Sequence, residues 1–265
     1  MPNIKYQWEL RISRTERLAA QTPAVKELLI FYARLLSAQQ EVYEYLRRRK
    51  GWLPSGMLER DLSALRVIRP RLLTVVSANA PEALATEAQR LLRAGERETD
   101  QLLLDYWRGP SDTQFFAKAL LQPYAQWLIE TGARPIDRKV ERGANRCPYC
   151  GGKPQLSFLR SMEGAQEGGG RNLLCSTCLS AWPFRRVVCV SCGEERPAEL
   201  AYFSAPEYQH VRIEACDSCG HYIKGIDLTR LGLAVPLVDE VAAAPLDLWA
   251  REQGYAKIEL NLVGL

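Results

Sequence analysis

Histidine is almost missing from this 265-residue chain, which has His210 and His221 and no others. Hydrolytic chemistry of the Ser–His or Cys–His kind therefore has almost no material to work with. Long apolar runs are missing too: no stretch approaches about 18 uninterrupted apolar residues. The start, MPNIKYQWELRISRTERL, has charge but neither an apolar core nor a small-residue cleavage site. The expectation is a cytoplasmic protein without membrane insertion. Strong charge of one sign is absent, the net value being +4. Residues 1–144 carry 23 Lys and Arg against 17 Asp and Glu, whereas 145–265 carry 12 against 14. A nucleic-acid-binding ribbon would concentrate cations beside its cysteines, and here the cysteine-bearing half is the more acidic. Nucleic acid is therefore not the expected partner, although Arg185 and Arg186 near Trp182 and Phe184 leave it as an alternative.

No cysteine stands alone. The eight fall into four C-x-x-C pairs, Cys147/Cys150, Cys175/Cys178, Cys189/Cys192 and Cys216/Cys219. Buried cysteines acting as small hydrophobes scatter singly, so complete pairing at one spacing needs a local chemical cause. In a reducing compartment that cause is metal thiolate rather than disulfide. The hydrophobic content of 47% supports an ordinary core, so the whole chain does not depend on such staples.

The first half has helical periodicity. In TPAVKELLIFYARLLSAQQEVYEYLRRRKG, Thr22 is a candidate N-cap and Pro23 suits a first helical position. Leu28, Leu29, Tyr32, Leu35, Leu36, Gln39, Val42, Tyr43 and Leu46 then recur at helical spacing, and Gly51 can end the segment. Arg47 to Lys50 oppose the negative end of the helix dipole. Further helical patterns cover about 57–68, 70–78, 81–94, 96–107 and 112–131, with Ser111 as a possible N-cap after Gly109-Pro110. Pro123 predicts a kink or a split in the last of these. The stretch TGARPIDRKVERGAN (131–145) loses periodicity and reads as a linker.

Beyond it, KPQLSFLRS, RNLLC, AWPFRRVVC, ELAYFSA and HVRIEAC read as short strands. A helical pattern returns in PLVDEVAAAPLDLWAREQGY. Two copies of one unit are visible: C-x2-C-G, strand-like sequence, then a second pair after 24 residues (151–174) and, in the second copy, after 23 (193–215). C-x2-C…C-x2-C reads as a four-thiolate site, in which tight turns present paired sulfurs about 2.3 Å from one ion. Glycine after the second cysteine (Gly151, Gly193, Gly220) can take positive φ and let backbone N–H groups face the sulfurs. Leu179 holds that place in the remaining motif. Consecutive pairing gives Cys147/Cys150/Cys175/Cys178 and Cys189/Cys192/Cys216/Cys219, each repeat a self-contained ribbon. A crossed arrangement, first pair with third and second with fourth, is the alternative. Four thiolates suit zinc and iron alike. A thioredoxin-like redox pair fits poorly, since four pairs lie on turns in matched units. Both histidines are expected to face solvent. The segment EGAQEGGGR (163–171) lacks the lysine of a phosphate loop and is expected to be a tip joining two strands.

The order RCPYCGGKP, LLCSTCLSAW, RRVVCVSCGE, IEACDSCGHYIKGIDL and AVPLVDEVAAAPLDLWAREQGY resembles the formate dehydrogenase accessory proteins called FdhE, over about 145–257. The resemblance implies an α+β protein: an α-helical domain over 1–140, a first rubredoxin-like ribbon over 145–186, and a second over 187–265 with a helical tail. It implies two metal ions, zinc or iron, on the eight cysteines named above. It implies a cytoplasmic maturation factor, not an enzyme, that binds the catalytic subunit of a molybdenum- or tungsten-containing formate dehydrogenase. Trp182 matches the family's tryptophan after the second pair, Asp239 and Glu240 its acidic pair, and Asp247 a further acid. These four are the expected partner-binding residues, so charge reversal at 239 and 240 is expected to weaken capture of the client without releasing metal. An iron-dependent redox protein acting on the client is the alternative. No motif bears on oligomeric state.

Overall fold

The computed structural model describes residues 4–109, 114–138, 143–161 and 169–265. Ser111, positions 139–142 of the 131–145 stretch and most of EGAQEGGGR lie outside them. A helical N-terminal region leads into a sheet region that carries both four-cysteine sets. The helices are α1 Ile4–Gln21, α2 Lys26–Arg48, α3 Leu58–Asn79, α4 Glu82–Arg93, α5 Glu96–Arg108 and α6 Phe115–Glu130. Helix α2 buries Leu29, Tyr32, Leu35, Leu36, Gln39, Val42, Tyr43 and Leu46, the stripe that the i, i+3, i+4 spacing defines. Thr22 makes no side-chain capping bond; a short 3₁₀ turn, Pro23–Val25, leads into α2 instead.

Two prolines fail to break their helices. Helix α3 continues through Pro70 and α6 through Pro123, correcting the expected division of 57–78 and, of the kink or split expected at 123, the split. An interior proline costs about 3 kcal/mol because it removes one backbone bond and crowds the carbonyl four residues back. In α6 that carbonyl belongs to Ala119, and it accepts a hydrogen bond from Gln39 Nε2 of α2 at 2.8 Å. Nearly every side chain of α6 is buried, so packing offsets the remaining cost.

The stretch after α6 is no free linker where it is described. Asp137 accepts from the Leu58 N–H and from Trp107 Nε1, both at 2.8 Å, and Arg138 stacks over Trp107. It reads as a linker in the sequence because the partners of Asp137 and Arg138 lie far away along the chain.

Strands β1 Pro154–Arg160, β2 Gly170–Cys175 and β3 Ala181–Pro183 form one antiparallel meander. Strands β4 Leu200–Ser204, β5 Val211–Cys216 and β6 His221–Asp227 form another. The two are joined by parallel pairing of β1 with β6, Leu156 opposite Lys224 through Leu159 opposite Asp227. The result is one sheet in the order β3-β2-β1-β6-β5-β4, with β7 Ala256–Lys257 also paired to β6. The repeats are therefore not self-contained: each would leave an open strand edge, and pairing β1 to β6 closes both.

Helices α7 Pro236–Ala242 and α8 Ala244–Glu252 cover part of this sheet. Neighbours Tyr222 and Ile223 fall in separate cores, because successive strand residues face opposite ways. Tyr222 joins Leu156, Ile213 and Ile226 beneath Leu246 and Ala250 of α8. Ile223 joins the continuous core that runs from the first four-cysteine set into the helical region. Among the described residues, no helix is long and apolar enough to cross a membrane.

Candidate metal centres

Each C-x-x-C pair sits on a turn whose backbone is closed locally. The Gly151 N–H bonds Cys147 O, Gly193 bonds Cys189 O and Gly220 bonds Cys216 O, at 2.8, 3.1 and 2.8 Å. These three glycines have φ of 72°, 81° and 66°, the left-handed region that a residue with Cβ enters at a cost. Leu179, in the equivalent place, adopts φ 57° nonetheless. The turn geometry of that motif overrides the preference of its residue.

The turns gather the sulfurs into two sets, Cys147/Cys150/Cys175/Cys178 and Cys189/Cys192/Cys216/Cys219, the atoms of each lying within 4.8 Å of one another. In the first, Sγ–Sγ separations are 3.6 Å for 147–178 and 3.4 Å for 150–175 and 150–178. In the second they are 3.7 Å for 189–219 and 3.8 Å for 192–216. All eight cysteines are free. A tetrahedron with metal–sulfur bonds of about 2.3 Å has an edge of about 3.8 Å, so the sulfurs stand close to where one ion would hold them. Backbone N–H groups also point at sulfur, Thr177 to Cys175 at 3.3 Å and Ser191 to Cys189 at 3.4 Å, as thiolates require. Each set can hold one metal ion. A Cβ on Gly152 would stand 2.8 Å from Cys175 Sγ, so the absence of a side chain there lets the chain pass the first set.

The two sets have unequal surroundings. All four cysteines of the first are buried and belong to the core shared with the helices. Gln122 Nε2 of α6 donates to Ser176 O, inside the Cys175–Cys178 turn, at 2.7 Å. In the second set Cys192 is exposed and Cys219 half-buried. Asn145 Nδ2, two residues before Cys147, donates to Val190 O at 3.1 Å and ties the first ribbon to the Cys189–Cys192 turn. Between the ribbons, buried Arg171 donates to Val188 O at 3.1 Å and to Glu214 at 2.5 Å. Burial alone would raise the Glu214 carboxyl, but Arg171 and Arg212 hold it below its ordinary value.

The residues expected to meet a partner lie inside the molecule. Trp182 is buried and donates through Nε1 to Ala144 O at 3.0 Å. Asp239 accepts from Arg14 of α1 and lies 2.8 Å from His210 Nε2. The side chains of Glu240 and Asp247 have no exposed surface and surround those of Lys224 and Lys257, which have none either. Trp182, Asp239, Glu240 and Asp247, expected to meet a partner, thus spend their polar groups on neighbours within the chain. Burial would raise the Asp239 and Asp247 carboxyls, yet both are held low, the first by His210 and Arg14, the second by Lys224 and Lys257. Burial lowers Lys257.

Sequence reasoning missed the lysines because Lys224 and Lys257 stand in stretches of mixed polarity that give no sign of burial. The one available signal was the set of acids in the tail, which implies cations somewhere. Neither histidine faces solvent freely: His210 reaches Asp239, and His221 Nδ1 lies 2.8 Å from Cys219 O, beside the second set.

Comparison with known proteins agrees with this arrangement. The family models described as "FdhE, central domain" and "FdhE, C-terminal domain" match residues 146–186 and 187–263. The Protein FdhE homolog of Aquifex aeolicus is 36% identical over 197 residues, covering 73% of this chain and 68% of that one. The homolog of Pseudomonas aeruginosa is 30% identical over 233 residues, covering 83% and 69%. The crystal structure of the FdhE protein from Pseudomonas aeruginosa superposes with a TM-score of 0.71, covering 96% of this chain and 94% of that one; at 24% identity the likeness is one of fold. With two sequence relatives at this level, matched across both ribbons, the chain belongs to the FdhE family.

Proposed function

We propose that this protein is a cytoplasmic accessory factor that binds the catalytic subunit of a formate dehydrogenase and assists its assembly, without catalysing a reaction itself. The observation that carries this reading is the joining of two four-thiolate sets into one sheet, in a chain of the FdhE family. Such a sheet, fixed to the helices by Gln122 and by Arg14, is a rigid platform for a protein partner. The chain is taken as a helical domain over 1–140 and ribbons over 145–186 and 187–265, the ribbons sharing their sheet. Cys147, Cys150, Cys175 and Cys178 would hold one metal and Cys189, Cys192, Cys216 and Cys219 the other. Bound zinc supplies a cross-link between turns, whereas bound iron adds a one-electron couple.

The test is capture of the catalytic subunit by the tagged protein from cells that express a formate dehydrogenase, with enzyme activity measured in cells lacking the protein. Co-purification together with lost activity is expected; absence of both would sink the reading. A redox role is favoured by one observation, the exposure of Cys192. Metal analysis beside the visible spectrum separates the two: zinc without absorbance supports the platform, and iron with bands that bleach on reduction supports electron transfer.

A further inference from the structure

We infer that the two centres are unequal in exchange: the Cys189/Cys192/Cys216/Cys219 centre trades its metal with chelating ligands in solution, while the Cys147/Cys150/Cys175/Cys178 centre holds its metal as part of the fold. The inference rests on the two-metal reading above and adds a division of labour to it.

Metal leaves a thiolate centre when an incoming donor bonds to the ion as one sulfur departs, so an approach path to the ion sets the rate. At the first centre the sulfurs are covered by the described residues. Its cysteines are between 0% and 3% exposed, and the centre sits in the same core as the helices. The Cys175–Cys178 turn is bonded from Gln122, which in turn accepts from Gln39 Nε2 at 3.1 Å, so the turn is tied through α6 to α2. Pro148 and Tyr149 of the Cys147–Cys150 turn face solvent, but the Cys175–Cys178 side of the set is held by α6, so displacing those two sulfurs requires the helical layer to part from the sheet. That is an opening on the scale of the whole core, and such openings are rare.

At the second centre Cys192 is exposed and Cys219 half-buried. Glu195 and Arg196 beside the first of these turns and Asp217 and Ser218 within the second are exposed, with Tyr255 reaching Asp217 from the segment after α8. A chelator's donor can bond to the ion from the Cys192 side. Cys192 would then give up its bond to the ion as the chelator's donor takes its place, its thiolate taking a proton from water with no electron changing hands. Cys189 and Cys216 remain buried, so the turns keep their shape and the emptied centre can refill. Occupancy of this centre would then follow metal supply while the fold persists on the first.

The test uses the full chain loaded with zinc and shown to carry two equivalents, challenged with a chromogenic pyridylazo chelator in the presence of N-ethylmaleimide. The expected result is two phases of one equivalent each, the first about tenfold or more faster. Alkylation mapped by mass spectrometry is expected at Cys192 and Cys219 within the first phase, and at Cys147, Cys150, Cys175 and Cys178 only within the second. A single phase releasing both metals would overturn the inference and leave the two-metal reading intact, as would early labelling of the first four cysteines. A chain that takes up no metal would overturn both.

Discussion

Gln39 Nε2 lies 2.8 Å from Ala119 O, the backbone carbonyl that Pro123 leaves without its helical partner. A side chain of α2 thus completes the hydrogen bonding of α6. The same amide donates to Gln122 Oε1, and Gln122 donates to Ser176 O within a metal-ligand turn. A local defect in one helix has become the polar joint between helical layer and first centre. Low-dielectric surroundings make such a joint costly to leave half-made.

Replacing Gln39 by Leu therefore strands Ala119 O in the core. The expected cost is about 1–3 kcal/mol in urea unfolding. Pro123→Ala restores a backbone N–H for the same carbonyl, so the double variant should lose less than the sum of the singles. Strict additivity would show that Gln39 does not serve the proline.

A methyl group at Gly152 meets both Cys175 Sγ and Thr177 Oγ1 at 2.8 Å. Gly152→Ala should then cost the first centre its metal while the second keeps its own, which elemental analysis reads as a fall from two equivalents to one. Retention of both would show that the turn can shift at little cost.

Lys224 lies 3.1 Å from Glu240 Oε1 and also contacts Asp247, all three without solvent exposure. Lys224→Met leaves buried negative charge uncompensated and should cost about 3–5 kcal/mol. Adding Asp247→Leu balances the remaining Lys257 and Glu240 charges and should recover part of that loss in thermal melts. An unchanged melt in the single variant would contradict the internal role given to these residues.

Asp239, Asp247 and Glu214 all titrate below their ordinary values of 3.8, 3.8 and 4.5 in the folded chain. The unfolded chain binds their protons first as pH falls, so the stability they contribute is complete above the ordinary range and is lost as pH drops through the folded values. Chemical unfolding followed from about pH 6 down to about pH 3 should show steep weakening below about pH 4.5. Asp239→Asn lacks one of these titrations, so its stability should converge on that of the wild type at the acid end. Parallel curves would remove Asp239 from the account.

The cysteine sets were legible because their chemistry is local: two residues between sulfurs, glycine after the second, and one unit repeated after a nearly constant interval. Helix α2 was legible for a similar reason, its buried stripe being a periodicity of the chain itself. The division expected at Pro70 and the split expected at Pro123 were also local inferences, and they failed where burial and, at Pro123, the Gln39 bond outweighed them. Helix α1, with Trp8 and Thr15 buried and Arg14 on Asp239, escaped notice in a stretch read only for its charge.

The sequence by itself determined which side chains could hold metal and that they fall in two like units. Only the tertiary structure decided that the units share a sheet through β1 and β6, that one centre lies under the helices and the other at the surface, and that Asp239, Glu240 and Asp247 face inward. Ligand spacing acts over a few residues of chain, whereas strand edges, buried charges and solvent access depend on segments far apart in sequence. Asp239 and Arg14 are 225 positions apart, and nothing along the chain between them marks the pair.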